Sequence, residues 1–300
     1  MLKVKIFRII VRLMPIIFWR KKQLPTNITI FDRRIPTKAG DVRLRIYTPT
    51  SPPTSDSNKY PVTLYMHGGG WVVGSVATCD PICQELASKA NHVVVSVDYP
   101  LSPENPFPAA PNACMDTLEW IINNSDDIDA DTNNIFVGGD SAGGNLATVT
   151  ALQCKTSHPD TIKGQILLFP VTDHYSHETQ SYRDNLKTKS LNKDTMQWYW
   201  DNYLNGNTVL KEGEVFHPLT TPLSQDDISG LPPAIVLIAD IDPLRDEGLA
   251  YAEKLIAQGN DVQYTIYPDV EHGFIGYMGP TDAHNKAMNE IVDWLGKHQK

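Results

Sequence analysis

Cysteine is scarce in this chain and carries no pattern. Four occur in 300 residues, Cys79, Cys83, Cys114 and Cys154, with neither a C-x-x-C pair nor the spacing of a zinc site. That excludes a disulfide scaffold and makes a reducing cytoplasm the expected compartment. Positive charge is also short: 26 Lys and Arg stand against 35 Asp and Glu, a formal net charge of −9. With no interior basic run interleaved with aromatics, nucleic acid is not an expected partner, and small molecules are. Internal repeats and low-complexity segments are absent, which excludes solenoids and arrays.

A long uninterrupted apolar run is missing too. The most apolar stretch, "MLKVKIFRIIVRLMPIIFWRKK" at the N-terminus, is broken by Arg8 and Arg12 and followed by no A-x-A site. It therefore reads neither as a signal peptide nor as a bilayer span. Lys5, Arg8 and Arg12 recur at three and four residues, so a helix places them on one face and leaves Ile6, Ile9, Ile10, Leu13 and Met14 on much of the rest. An amphipathic cationic helix of this kind has two fates, contact with an anionic membrane surface or packing over the domain. The sequence decides neither that choice nor whether the chain forms an oligomer.

What the chain does have is alternation of strand and helix. "NITIFDRRI" and "VRLRIYTP" read as two antiparallel strands joined through Lys38-Ala39-Gly40-Asp41, and "SPPTSDSNKYP" as a surface loop. Strands follow at "VTLYMH", "HVVVSVD", "NIFVGGD", "GQILLFP", "PAIVLIAD" and "VQYTIYP", separated by helical stretches near 79–90, 109–122, after Ser141, beyond Asp242 and over 283–297. In the helix beyond Asp242, Leu249, Ala252, Leu255 and Ile256 share a face. The class is α/β with a mostly parallel sheet. From about 173 to 217 the pattern turns polar and aromatic, with "MQWYWDNYL" and no strand, which reads as helices inserted to form a cap with the N-terminal segment.

Glycine is concentrated at two of these strand ends. In "GGDSAGGN", residues 138–145, a strand ends, Ser141 sits in the turn, and a small-residue helix follows. G-x-S-x-G alone arises easily by chance, but a nucleophile elbow requires this strand–turn–helix context. The small neighbours let the chain pass close, leaving Ser141 exposed at the tip and the Ala142 N–H at the helix N-terminus directed at a developing oxyanion. In "MHGGGW", residues 66–71, three glycines after a strand leave backbone N–H groups uncovered for the same purpose.

A serine nucleophile needs a base, itself oriented by a carboxylate, and open α/β sheets present their sites at the carboxyl ends of strands. "IADIDPLRD" supplies an acid; Asp240 and Asp242 share that loop, and position leaves both open. "YPDVEHGF" supplies His272, just beyond what reads as a late buried strand and followed by a glycine.

These segments resemble the hormone-sensitive-lipase-like esterases of the α/β-hydrolase fold, including bacterial acetyl esterases. The resemblance covers about residues 60–295, through "HGGGW", "VDYPLSPENPFPAA", "GGDSAGGN", "GLPPAIVLIADIDPLRDEGLAYAEKL" and "EHGF". It implies a single α/β-hydrolase domain over 1–300, with a mostly parallel sheet flanked by helices and a helical cap from about 1–25 and 173–217. It implies Asp242, the Asp before Pro-Leu, as the triad acid, and Gly68, Gly69 and Ala142 as oxyanion donors. One departure is that the family's Tyr-Arg-Leu-Ala-Pro-Glu becomes Tyr99-Pro100-Leu101-Ser102-Pro103-Glu104, which removes an arginine from that loop. The implied activity is hydrolysis of short- to medium-chain acyl esters through an acyl-enzyme on Ser141, with neither cofactor nor metal. An amidase or lactonase on the same triad is the nearest alternative. A non-catalytic small-molecule receptor is another, which retention of His272 and Asp242 disfavours.

Overall fold

The computed structural model describes residues 2–20, 24–53, 57–186, 188, 190–206, 216–277 and 279–299. Eight strands form one sheet in the order β1-β2-β4-β3-β5-β6-β7-β8. The hairpin of β1 (Ile28–Thr37) and β2 (Gly40–Pro49) joins β4 (Val93–Asp98) antiparallel, at one side of the sheet. From β4 onward, β3 (Tyr60–Met66), β5 (Ala130–Asp140), β6 (Ile162–Leu168), β7 (Ala234–Ile241) and β8 (Val262–Glu271) all run parallel. Parallel neighbours need a crossover, and here helices supply it and cover both faces, which is why β3 reads as a continuous apolar run buried at every position.

The period-2 geometry of a strand divides the core into two. Along β5, Ile135 and Val137 face one side with Leu118 of α3 (Ala109–Asn123), Leu146 of α4 (Ala142–Ser157) and Leu255 of α7 (Arg245–Ala257). Phe136 faces the other, with Leu86 of α2 (Asp80–Ala90) and Ile291 and Trp294 of α8 (Asp282–His298). The expected helices are thus present within a residue or two of their predicted ends. Ile256 departs from its predicted face: it is exposed, because the turn of α7 that meets the sheet is set by Tyr251, Ala252 and Leu255. The strand before His272 departs as well. β8 is the edge of the sheet, and its Tyr264 and Ile266 are exposed, since no further strand or helix among the described residues covers them.

Beyond β6 come two further helices, α5 (Gln180–Asp184) and α6 (Lys193–Tyr203), and no strand occurs among the described residues of 173–217. Residues 187, 189 and 207–215 of the expected cap, like residues 1 and 21–23 of its N-terminal part, lie outside the described residues. The Asn192 side chain starts α6 by accepting the Thr195 N–H at 3.0 Å. Its aromatics serve mainly as adhesive. Trp71, from the glycine loop, stacks on Tyr203 at 4.1 Å and lies 4.8 Å from Trp200.

The N-terminal helix α1 (Leu2–Trp19) packs over the domain by a face that includes Arg8, while Lys5 and Arg12 stay exposed. Val4, Val11, Pro15 and Trp19 are buried, and Arg8 lies between them and the body of the protein. The Arg8 guanidinium donates to Val72 O (2.8 Å) and Ser102 O (2.9 Å) and holds Glu104 with two bonds of 2.8 and 3.0 Å. The loop that lacks the family's arginine thus receives one from α1. Phe7 meets Trp198 and Tyr199 of α6, whereas Trp19 turns to the other side, against His284, so the "IIFW" segment does not join the aromatics of α6. Because one side chain carries so many of the contacts that hold α1, Arg8→Ala should expose α1 to limited proteolysis well before the rest of the chain. Cleavage at the parent's rate would show that Arg8 is not the anchor.

Candidate active site

The parallel strands β5, β7 and β8 end side by side with β6 between the first two, so their carboxyl-end loops converge. Ser141 occupies the turn between β5 and α4 with φ +56° and ψ −119°, a conformation a side-chain-bearing residue rarely adopts. Neighbouring contacts hold it there. Its N–H donates to Leu168 O at 2.8 Å, and its carbonyl accepts from Asn145 N and Val171 N. Glycine is required at 143, where a Cβ would come within 2.0 Å of Met66 O at the end of β3. Ser141 is not exposed as the sequence suggests. It is 7% accessible, since the loops after β3 and β8 close around the turn.

His272 and Asp242 complete a buried relay. His272 Nε2 lies 3.0 Å from Ser141 Oγ, and His272 Nδ1 lies 2.6 Å from Asp242 Oδ2. A carboxylate accepts, so Nδ1 carries the proton and the Nε2 lone pair faces the serine hydroxyl. The other Asp242 oxygen accepts the Leu244 N–H at 2.9 Å, which fixes the carboxylate at the start of α7. Placement distinguishes the two candidate acids: the Asp242 side chain is 1% exposed and faces the imidazole, whereas that of Asp240 is 42% exposed and lies beside Arg245. The Phe169 ring, edge-on to the imidazole at 4.8 Å, limits its rotation. Four other buried histidines, His67, His92, His174 and His284, take no part in the relay. Burial holds His67, His92 and His174 below the ordinary imidazole range, His92 at about 4 and His174 at about 3.

The glycine loop lies opposite. His67 stacks on Tyr99 at 4.2 Å, and its carbonyl accepts the Tyr99 hydroxyl at 2.7 Å. Gly69 has φ +113°, which lets its carbonyl turn back to accept Val72 N and Val73 N. The N–H groups of Gly69 and Gly70 find no acceptor among the described residues, and Ala142, first residue of α4, has no partner within the helix for its own N–H. The backbone of Gly68 lies against the carboxylate of Asp140 and helps to hold the charge there. The Tyr199 ring covers Gly70 closely enough that a Cβ would overlap it.

Sequence reasoning missed Asp140 and Tyr199. An acid inside an elbow reads as a polar turn residue, and an aromatic within a run of four gives no sign of which one meets the loop. Among the described residues, no three His, Cys, Asp or Glu side chains gather as metal ligands would. A surface cleft of about 660 Å³ bounded by Lys38, Glu119, Lys155 and Asp227 shares no residue with the relay.

A family model described as the alpha/beta hydrolase fold matches residues 63–276. Esterase LipI of Mycobacterium tuberculosis is 34% identical over 271 residues, 88% of this chain and 80% of that protein. Ethyl acetate hydrolase of Pseudomonas putida is 31% identical over 271 residues, 90% of this chain and 83% of its own. The solved structure of the Pyrobaculum calidifontis esterase superimposes with a TM-score of 0.90 at 34% identity, covering 98% of this chain and 92% of its own.

Asp140 generates a prediction about stability. Burial raises its pKa from an ordinary 3.8 to about 6, although Tyr65 donates to Oδ1 at 2.9 Å. Well below pH 3.8 the carboxyl is neutral whether the chain is folded or not. Between about 4 and 6 the folded protein keeps a proton that the unfolded chain releases, so this group's contribution falls as pH rises and levels off above 6. Asp140→Asn should therefore stabilise the fold at pH 8 by up to about 3 kcal/mol and by about 0.5 kcal/mol or less at pH 4, measured by chemical denaturation. A difference that is constant with pH would contradict the assignment.

Proposed function

The chain belongs to the α/β-hydrolase family and is a carboxylic-ester hydrolase; we propose that Ser141 is its nucleophile, His272 its general base and acid, and Asp242 the carboxylate that orients the imidazole. The observation that carries this reading is the unbroken hydrogen-bonded line from Ser141 Oγ through both nitrogens of His272 to Asp242. As Oγ attacks the acyl carbon, its proton passes to Nε2 and the carbonyl oxygen takes the negative charge. The N–H groups of Ala142 and Gly69 receive that charge, with Gly70 in the place expected of Gly68, whose backbone is turned to Asp140. Collapse breaks the bond to the alcohol, which leaves with the proton from Nε2. Water then attacks the acyl-enzyme, His272 takes its proton, and the acid departs as Ser141 regains its own.

The partner of this site is a small-molecule ester. Helices α1, α5 and α6 form the cap over it, and four buried thiols suit a reducing compartment such as the cytoplasm. A membrane surface is a second partner, of α1 rather than of the relay. Acyl specificity follows from Tyr199, whose rigid ring over Gly70 walls the oxyanion side and favours short to medium chains.

Ser141→Ala should lower kcat on the order of a millionfold while leaving the thermal midpoint near that of the parent. Asp242→Asn should cost far more activity than Asp240→Asn; the reverse order would move the acid's role. On a series of chromogenic esters, kcat/KM should rise by the contribution of each methylene, up to ~0.8 kcal/mol, and then fall between about C6 and C10. Undiminished turnover of C16 esters would refute the short-chain reading.

A further inference from the structure

The outward face of α1 is apolar along its whole length. Ile6, Ile9, Ile10, Leu13, Ile16 and Ile17 are all exposed, Ile16 to 66%. Scattered surface apolar residues need no explanation, but six on one continuous arc of a helix do. Lys5 and Arg12, both exposed, border that arc on one side, and Arg20 stands at its end. The first twenty residues hold five basic and no acidic side chains in a chain whose formal net charge is −9, so positive charge is gathered where the apolar surface is. No helix among the described residues is long and apolar enough to cross a membrane. An apolar arc with a cationic border on a helix that does not span is the arrangement that lies in the plane of an interface.

We propose that this face of α1 docks the protein on an anionic lipid bilayer, with the isoleucines in the acyl boundary and Lys5, Arg12 and Arg20 at the headgroups. The inner face of the same helix supports this. Arg8, Val11 and Trp19 fasten α1 to the folded body, so the helix is presented as a rigid ridge rather than spent on the core. A second copy of the chain is the less suited occupant, because pairing these faces would set two groups of cations together with no acid on either helix to neutralise them. Docking here does not depend on the relay. Its consequence is geometric: Phe7 joins α1 to α6, whose Tyr199 covers the glycine loop, so the bilayer would lie on the cap side of the site.

The test is co-sedimentation of the full chain with vesicles of phosphatidylcholine alone or with about one part in three phosphatidylglycerol. The parent should sediment with the anionic vesicles and much less with the neutral ones, and raised salt should weaken the binding. Ile9→Glu with Leu13→Glu should reduce binding by about tenfold or more, with the thermal midpoint and hydrolysis of a soluble short ester unchanged. Lys5→Glu with Arg12→Glu should remove the preference for anionic lipid, also by about tenfold. A parent that stays in the supernatant with anionic vesicles would overturn the proposal, as would variants that bind as the parent does. It would equally be overturned if the parent were a dimer without lipid affinity that Ile9→Glu with Leu13→Glu converts to monomer.

Discussion

The site depends on the turn at Ser141. There the chain leaves β5 and enters α4 so abruptly that the backbone must hold φ +56°, and α4 must pass against the end of β3 with only the hydrogen of Gly143 between them. Backbone in this region costs on the order of 1–3 kcal/mol unless its surroundings over-determine it. They do so here: the Ser141 N–H and carbonyl are tied to Leu168, Val171 and Asn145, and the parallel ladder fixes β5 between β3 and β6. The same tight passage that strains the serine brings the glycine loop after β3 beside it. The proposed nucleophile and the proposed oxyanion donors are thus products of one packing constraint.

The relay depends in turn on a second set of buried polar bonds. Glu247, in the first turn of α7, accepts from Thr172 N and Asp173 N, so the helix that begins beside Asp242 is fastened to the chain leaving β6. Ser181 of α5 donates through its hydroxyl to Pro243 O and through its N–H to Asp246. These bonds join the loop carrying Asp242 to α5. Burial raises the Glu247 carboxyl well above its usual range, a cost borne by a side chain whose contribution is placement. Capped site and buried relay are therefore one connected structure, and fastening through Arg8 extends it to the N-terminal helix.

Most of this was legible in the sequence where one local rule sufficed. Apolar runs and alternating patterns between turn signals predicted every strand of the sheet, and strand-end logic picked Ser141 and His272 as candidates and narrowed the acid to two neighbours, because a parallel sheet forces such residues to one edge. What the sequence hid was set by distant partners. "VQYTIYP" alternates as any strand does, and only the absence of a further neighbour makes β8 an edge. Arg8 reads as a surface cation, yet its partners Val72, Ser102 and Glu104 are 64 to 96 residues away. Three consecutive glycines look equivalent until Asp140 and Tyr199 give Gly68 and Gly70 different neighbours.

On the proposed mechanism one buried serine, activated by His272, becomes covalently acylated. Reaction of the folded protein with a fluorophosphonate, followed by intact-mass measurement and peptide mapping, tests it most directly. The account predicts a single adduct on the peptide containing Ser141, with labelling slowed strongly by His272→Ala. An adduct on another residue, or labelling at Ser141 indifferent to His272, would contradict it.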